Sequence, residues 1–224
     1  MTAIVELVVA SPPEAWRRLG LAVDDAGRCR VGRVDLRFDP AAPGHGIVGW
    51  QLSDGGRHDG RLDVDIDGLP TRRAPSDVDP DAGSAASAAG GSVAHPGAGH
   101  RLGASRIDHV VVVTSSLERT CSAIERATGE PLKRIREAGK GVRQGFHRLD
   151  EVVLEVVERP DVPGDAPASF WGFVLVVDRD LHDVCEELGP EIVGLPKPAV
   201  QPGRLIATVR ETLGLGVPLA LMSG

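Results

Sequence analysis

The 224-residue chain is 42% hydrophobic but only 3% aromatic and has no tyrosine, so any core must be built mostly from Val, Leu, Ile and Ala. A formal net charge of −7 and a pI near 5.5 argue against a nucleic-acid partner, which needs a basic face to neutralise phosphates. No apolar run approaches the roughly 20 residues that span a bilayer, and the first residues lack a basic stretch, an apolar core and a cleavage site; a cytoplasmic protein with no membrane partner is expected. Cys29, Cys121 and Cys185 are far apart and form no CxxC pair, which predicts packed, reduced thiols rather than a zinc knuckle or a disulfide framework.

The chain opens with Ile4-Val5-Glu6-Leu7-Val8-Val9, read as a strand. Ser11, Pro12 and Glu14 then open a helix through Trp16 and Leu19, with proline near the first turn where its missing N–H costs nothing. Val31–Phe38 is strand-like, and Ile47–Leu52 is a further strand. Leu62–Leu69 alternates apolar residues with Asp63, Asp65 and Asp67, the pattern of a half-exposed edge strand. Those aspartates look superficially like the start of an EF-hand loop, but the twelfth position is Ala74, so the strand reading is favoured over calcium. Residues 74–105 are dominated by Ala, Gly, Ser, Pro and Asp and bury too little to offset the entropy of ordering; a flexible linker is expected, with His95 and His100 in solvent.

A regular order follows. Arg106–Thr114 is a strand and Ser116–Thr128 a helix capped by Ser115 or Ser116, in which Ser115 with Glu118 makes a capping box, Leu117, Cys121 and Ile124 form the apolar stripe, and Gly129 ends it. Leu132–Glu137, Gly141–Leu149 and Val152–Glu158 are three more strands, completing βαβββ. The order repeats with a strand Phe170–Val177 and a helix Asp180–Leu188, then Glu191–Gly194, Gly203–Arg210 and Val217–Met222 as strands. Leu117 and Cys121 match Leu181 and Cys185 at one offset, as an internal repeat requires. The N-terminal part looks like a compressed third version: Ile4–Val9 resembles Ile107–Val112, and Ile47–Leu52 resembles Phe170–Leu175.

The strand Ile107-Asp108-His109-Val110-Val111, the strand Val152-Val153-Leu154-Glu155-Val156-Val157 and the helix openings Ser116-Leu117-Glu118 and Asp180-Leu181 together resemble the vicinal-oxygen-chelate superfamily, the glyoxalase, bleomycin-resistance and dioxygenase proteins. The resemblance covers about half the chain and implies an α+β fold in which paired βαβββ modules close a curved mixed-sheet cup. It divides the chain into a reduced module at 1–73, a linker at 74–105 and a paired-module domain at 106–224. In that family metal ligands come from the first and last strand of each module, around a divalent Mn, Fe, Ni or Zn that polarises adjacent substrate oxygens. His109 matches the first-strand ligand and Glu155 the last-strand ligand. In the second module the matching positions fall on Gly172 or Phe173, and on Leu219 or Ala220, none of which binds a metal. A third ligand would come from His147, from Gln144, from the N-terminal copy (where Glu6 matches His109 and, loosely, Asp35 matches Glu155) or from a second subunit of a homodimer.

His109 and Glu155 are thus expected as partial metal ligands or as an acid–base pair, and Arg143, Gln144, His147 and Trp171 as substrate contacts. Parity along the strand pairs Gln144 with Phe146 and Arg143 with His147, and either pair can face the cup. Trp50 and Trp171, each beside a glycine, are expected in core packing rather than ligand stacking. The resemblance implies a lyase or isomerase acting on a small oxygenated metabolite. The empty second-module positions imply instead a metal-free protein that sequesters a small molecule, or a module with a vestigial site.

Overall fold

The computed structural model describes residues 1–53, 65–74 and 99–224. The N-terminal part runs β1 (Ile4–Ala10), α1 (Pro13–Leu19), β2 (Arg28–Val31), β3 (Val34–Phe38), β4 (Gly46–Leu52) and β5 (Thr71–Arg73). Among the described residues these strands form one sheet in the order β2-β3-β1-β4-β5. The remainder runs β6 (Ala104–Thr114), α2 (Leu117–Thr128), β7 (Arg134–Gly139), β8 (Val142–Leu149), β9 (Val152–Glu158), β10 (Ser169–Val177), α3 (Leu181–Leu188), β11 (Lys197–Pro198), β12 (Leu205–Thr208) and β13 (Leu219–Ser223). Its sheet has the order β11-β12-β13-β10-β6-β9-β8-β7. Each half places its first strand beside its last, in parallel, and the halves meet where β6 pairs antiparallel with β10. This is the expected α+β arrangement of paired βαβββ modules.

Several local expectations are corrected. Of the two candidate caps Ser116 serves α2, and no Ser115–Glu118 capping box forms: the Ser116 Oγ accepts the Arg119 N–H at 3.3 Å, and the Glu158 carboxylate accepts the Leu117 N–H at 2.7 Å. Ser115 Oγ instead donates to the Gly164 carbonyl. Val31–Phe38 is not one strand, because the chain turns at Gly32-Arg33 between β2 and β3. Where Leu62–Leu69 lies within the described residues it forms a turn rather than a strand, with Asp67 and Gly68 both at positive φ; the edge strand is β5. The last linker residues already belong to β6, and His100 is fixed rather than free, its Nδ1 accepting the Ala22 N–H at 3.0 Å and its Nε2 donating to the Arg30 carbonyl at 2.8 Å. His95 lies outside the described residues. Glu191–Gly194 contributes only a single bridge, Val193 to Val209, and the outermost strand comes later as β11.

The two sheets share one apolar core. Trp16 of α1 stacks on Phe38 at 4.5 Å and on Phe173 at 5.9 Å, and Trp50 meets Phe170 edge-on at 5.1 Å. The three cysteines are free and buried within it, as expected. Among the described residues no helix is long and apolar enough to cross a membrane.

Three irregularities recur in both sheets and make the N-terminal one a shortened copy of the paired modules. In β1, Ile4 pairs with Leu52 and Glu6 with Gln51, leaving Val5 as an extra residue; in β6, Ile107 pairs with Leu175 and His109 with Val174, leaving Asp108. Likewise Val48 is the extra residue of β4 and Trp171 that of β10. The residue after each strand's glycine donates its N–H to a proline carbonyl, Trp50 to Pro70 at 3.1 Å and Phe173 to Pro218 at 3.2 Å. On this register Glu6 matches His109, and Arg37 matches Glu155, because Val8 pairs with Arg37 as Val111 pairs with Glu155. The looser match of Asp35 to Glu155 is therefore wrong by two residues. Trp50 matches Phe173 and is buried, whereas Trp171 matches Val48 and is 49% exposed. The core reading holds for Trp50 and fails for Trp171.

Candidate functional site

Consecutive residues of a regular strand point to opposite faces. The extra residue in β6 breaks that alternation and brings two neighbouring side chains together: His109 Nδ1 lies 2.9 Å from Asp108 Oδ2. Arg204, just before β12, closes the arrangement from the second module, donating from Nη1 to Asp108 Oδ1 at 2.7 Å and from Nε to the Ser223 carbonyl at 2.8 Å. Burial, the largest influence on Asp108, pushes its carboxyl up, but the hydrogen bonds and charges of His109 and Arg204 more than offset it and leave it at about 2. An ionised Asp108 can only accept, so Nδ1 carries the proton and Nε2 is turned toward the cup.

There Nε2 meets Glu155 Oε2 at 3.6 Å, and the other carboxylate oxygen of Glu155 accepts from Gln144 Nε2 at 2.7 Å. Burial pushes the Glu155 carboxyl up, opposed in part by His109 and Arg136. Gln144 Oε1 is buried and, among the described residues, has no hydrogen-bond partner. The result is one polar chain, Arg204–Asp108–His109–Glu155–Gln144, drawn from β6, β8, β9 and the approach to β12. Its members His109, Glu155 and Gln144 line a cup of about 370 Å³ whose walls include Val111, Val113, Val157 and Val174, with Trp171 and Arg159 also lining it.

His109, Glu155, Gln144 and Trp171 all line this cup. Arg143 and His147 do not. They lie on the opposite face of β8, so Gln144 and Phe146 are the pair on the cup side. Arg143 pairs with Glu118 at 2.5 Å and Glu158 at 3.4 Å, bracing α2. His147 is buried, donates from Nδ1 to the Glu130 carbonyl at 3.0 Å, and is held toward the neutral form by that burial. Sequence reasoning missed Asp108 and Arg204. The available signal was two polar residues in succession within an otherwise apolar strand, which alternation cannot accommodate without a bulge.

The register also settles the second-module positions. Val111 pairs with Gly172 and His109 with Val174, so the symmetry between the halves matches His109 to Gly172; Val174 pairs with Ala220, which matches Ala220 to Glu155. A Cβ at Gly172 would lie 2.3 Å from the Pro218 carbonyl oxygen. The position is closed by backbone as well as lacking a ligand. Among the described residues no three His, Cys, Asp or Glu side chains gather as a metal group. The four-ligand cage implied by the resemblance therefore does not fit this chain; His109, Glu155 and the Gln144 amide are what one module supplies.

No protein-family model and no curated protein matches the sequence. Among solved structures, methylmalonyl-CoA epimerase from Mycobacterium tuberculosis is similar at 14% identity and a TM-score of 0.44, over 54% of this chain and 89% of that one. A Streptomyces coelicolor methylmalonyl-CoA epimerase in complex with 2-nitronate-propionyl-CoA matches at 16% identity and 0.44, over 54% and 95%. The hypothetical protein BH1468 from Bacillus halodurans matches at 16% and 0.43, over 53% and 94%. These likenesses concern fold alone. By its own strand order, the C-terminal half has the paired βαβββ architecture expected from the sequence.

Proposed function

We propose that the chain binds a small oxygenated metabolite in the C-terminal cup and moves a proton at the carbon beside its carbonyl, as a glyoxalase-like lyase or isomerase. The observation that carries this is the polar chain from Arg204 to Gln144, of which His109, Glu155 and Gln144 line a largely apolar cup. His109 Nε2 takes the proton from carbon, and the C–H electron pair passes to the carbonyl oxygen as an enolate. Glu155, whose proton is favoured by burial, donates a hydrogen bond to that oxygen. Asp108, held ionised by Arg204, steadies the imidazolium until the proton returns to carbon.

A second reading, sequestration without chemistry, is favoured by the closed Gly172 position and by Ala220. Proton NMR in deuterated water separates the two, with 2-oxobutyrate and methylmalonyl-CoA as probes. Deuterium should enter the carbon beside the carbonyl with wild type and be reduced about a hundredfold or more in His109→Ala and Glu155→Gln. Binding without exchange supports sequestration. Neither binding nor exchange overturns both readings. Stoichiometric metal in protein purified without chelator, lost in His109→Ala, would replace the acid–base reading with a metal one.

A further inference from the structure

The N-terminal sheet has its own concave face. It keeps both bulges and the glycine–proline clasp of the C-terminal sheet, and so keeps the curvature that makes a cup. The cleft on that face is about 800 Å³, roughly twice the C-terminal cup, and it is charged where the other is apolar. Val8 is aliphatic, but Glu6, Arg37, Asp39, Gln51, Asp65 and Arg72 also line it.

Pairing divides these groups into two sets. On the β1 and β3 side, Arg37 lies 3.5 Å from Glu6 and 3.0 Å from Asp39, and Arg28 of β2 reaches Glu6 at 3.6 Å. This cluster occupies the places of His109 and Glu155, but a guanidinium does not give up its proton, so it can hold a ligand's polar atoms without proton chemistry. On the β4 and β5 side the complement is open. Arg72 is exposed with no ion-pair partner among the described residues. Asp65 is exposed and, among the described residues, uses only Oδ1, to accept the Gly68 N–H at 2.7 Å. Gln51 spends Nε2 on the Arg73 carbonyl at 3.4 Å, and its carbonyl oxygen has no hydrogen-bond partner among the described residues. Glu6, Gln51 and Arg72 form one cross-strand row, with successive strands about 5 Å apart.

We infer that this second cup is a binding site for a small zwitterion of the amino-acid class: Arg72 takes the carboxylate, and Asp65 with the Gln51 carbonyl takes the ammonium. An open cation and an open anion in one cleft select a ligand with both charges over a simple anion, because a ligand with one charge engages only one of them and meets the other as a like charge. The inference is independent of any chemistry at His109.

The test follows the Gln51 side-chain amide and the Arg72 Nε–H by 1H–15N NMR while standard L-amino acids are added at millimolar concentration. Propionate and propylamine serve as single-charge controls. At least one amino acid should shift both signals, and Arg72→Ala and Asp65→Asn should each weaken it about tenfold, the cost of one charge-assisted hydrogen bond. Its N-acetyl and carboxamide derivatives should bind comparably weakly, and His109→Ala should change nothing. The inference is overturned if no amino acid shifts the signals, if a single-charge control binds as tightly, or if the shifts vanish in His109→Ala, which would place the ligand in the other cup.

Discussion

Gly172→Ala tests the claim that backbone, and not merely a missing side chain, closes the second-module ligand position. The new Cβ would lie 2.3 Å from the Pro218 carbonyl oxygen and 3.1 Å from the Pro218 Cβ, against an ordinary contact of about 3.4 Å or more. About 1 Å of relief must come from the Pro218 carbonyl, which also accepts the Phe173 N–H at 3.2 Å. Losing that hydrogen bond costs about 1 kcal/mol and overpacking a further 1–3 kcal/mol, so the variant should be destabilised by about 2–4 kcal/mol. For a chain of this size that lowers Tm by roughly 4–16 °C. Gly49→Ala is the internal control: it is the matching glycine, but its Cβ would stand 3.2 Å from the Pro70 carbonyl and should cost about 1 kcal/mol or less. Urea unfolding followed by tryptophan fluorescence reads both. A Gly172→Ala protein as stable as wild type, or a Gly49→Ala protein that loses as much, would refute the reasoning.

Asp108 falls from an ordinary 3.8 to about 2 in the folded protein, so its contribution is present above pH 3.8 and is lost as pH falls through about 2. The depression amounts to about 2 kcal/mol, and the stability difference between wild type and Asp108→Asn should shrink by that amount over this window in acid unfolding; a constant difference sinks the assignment. Glu155 has the opposite sign. Its folded value is raised above 4.5, so wild type should lose stability relative to Glu155→Gln as pH climbs from that value, and a gain would contradict it. Asp108→Asn should also move the His109 proton from Nδ1 toward Nε2, visible in imidazole 15N shifts, and an unchanged tautomer would show that Asp108 does not set it. Burial pushes the Cys29 and Cys121 thiols up to about 12, so native protein at pH 8 should resist iodoacetamide at both until urea unfolds it; rapid native labelling at either would refute their packing.

The βαβββ order was legible because each element announces itself locally. Ser116 before an apolar stripe, Gly129 after it, and the continuous valines of Ile107–Val113 fix helix and strand through periods that depend only on backbone geometry. The repeat was legible for the same reason, and with it the positions of His109 and Glu155. The turn at Gly32-Arg33 and the late edge strand at Thr71–Arg73 were harder, since neither interrupts an apolar pattern strongly enough to be seen in sequence. Which face of β8 lines the cup was not legible, because Gln144 and Arg143 are equally polar and only the helix packed behind the sheet chooses between them.

The chain by itself determined the modules, their duplication and the histidine and glutamate that mark the cup. Only tertiary structure decided what surrounds that histidine. Arg204 lies nearly a hundred residues from Asp108, and the bulge that turns Asp108 beside His109 exists only because β6 sets Asp108 as an extra residue between Ile107 and His109, whose partners Leu175 and Val174 are consecutive in β10. Closure of the Gly172 position by Pro218 is likewise a contact between distant segments. Periodicity encodes which way a side chain points within its own strand. The partners it meets depend on register between strands, which single-strand patterns do not carry.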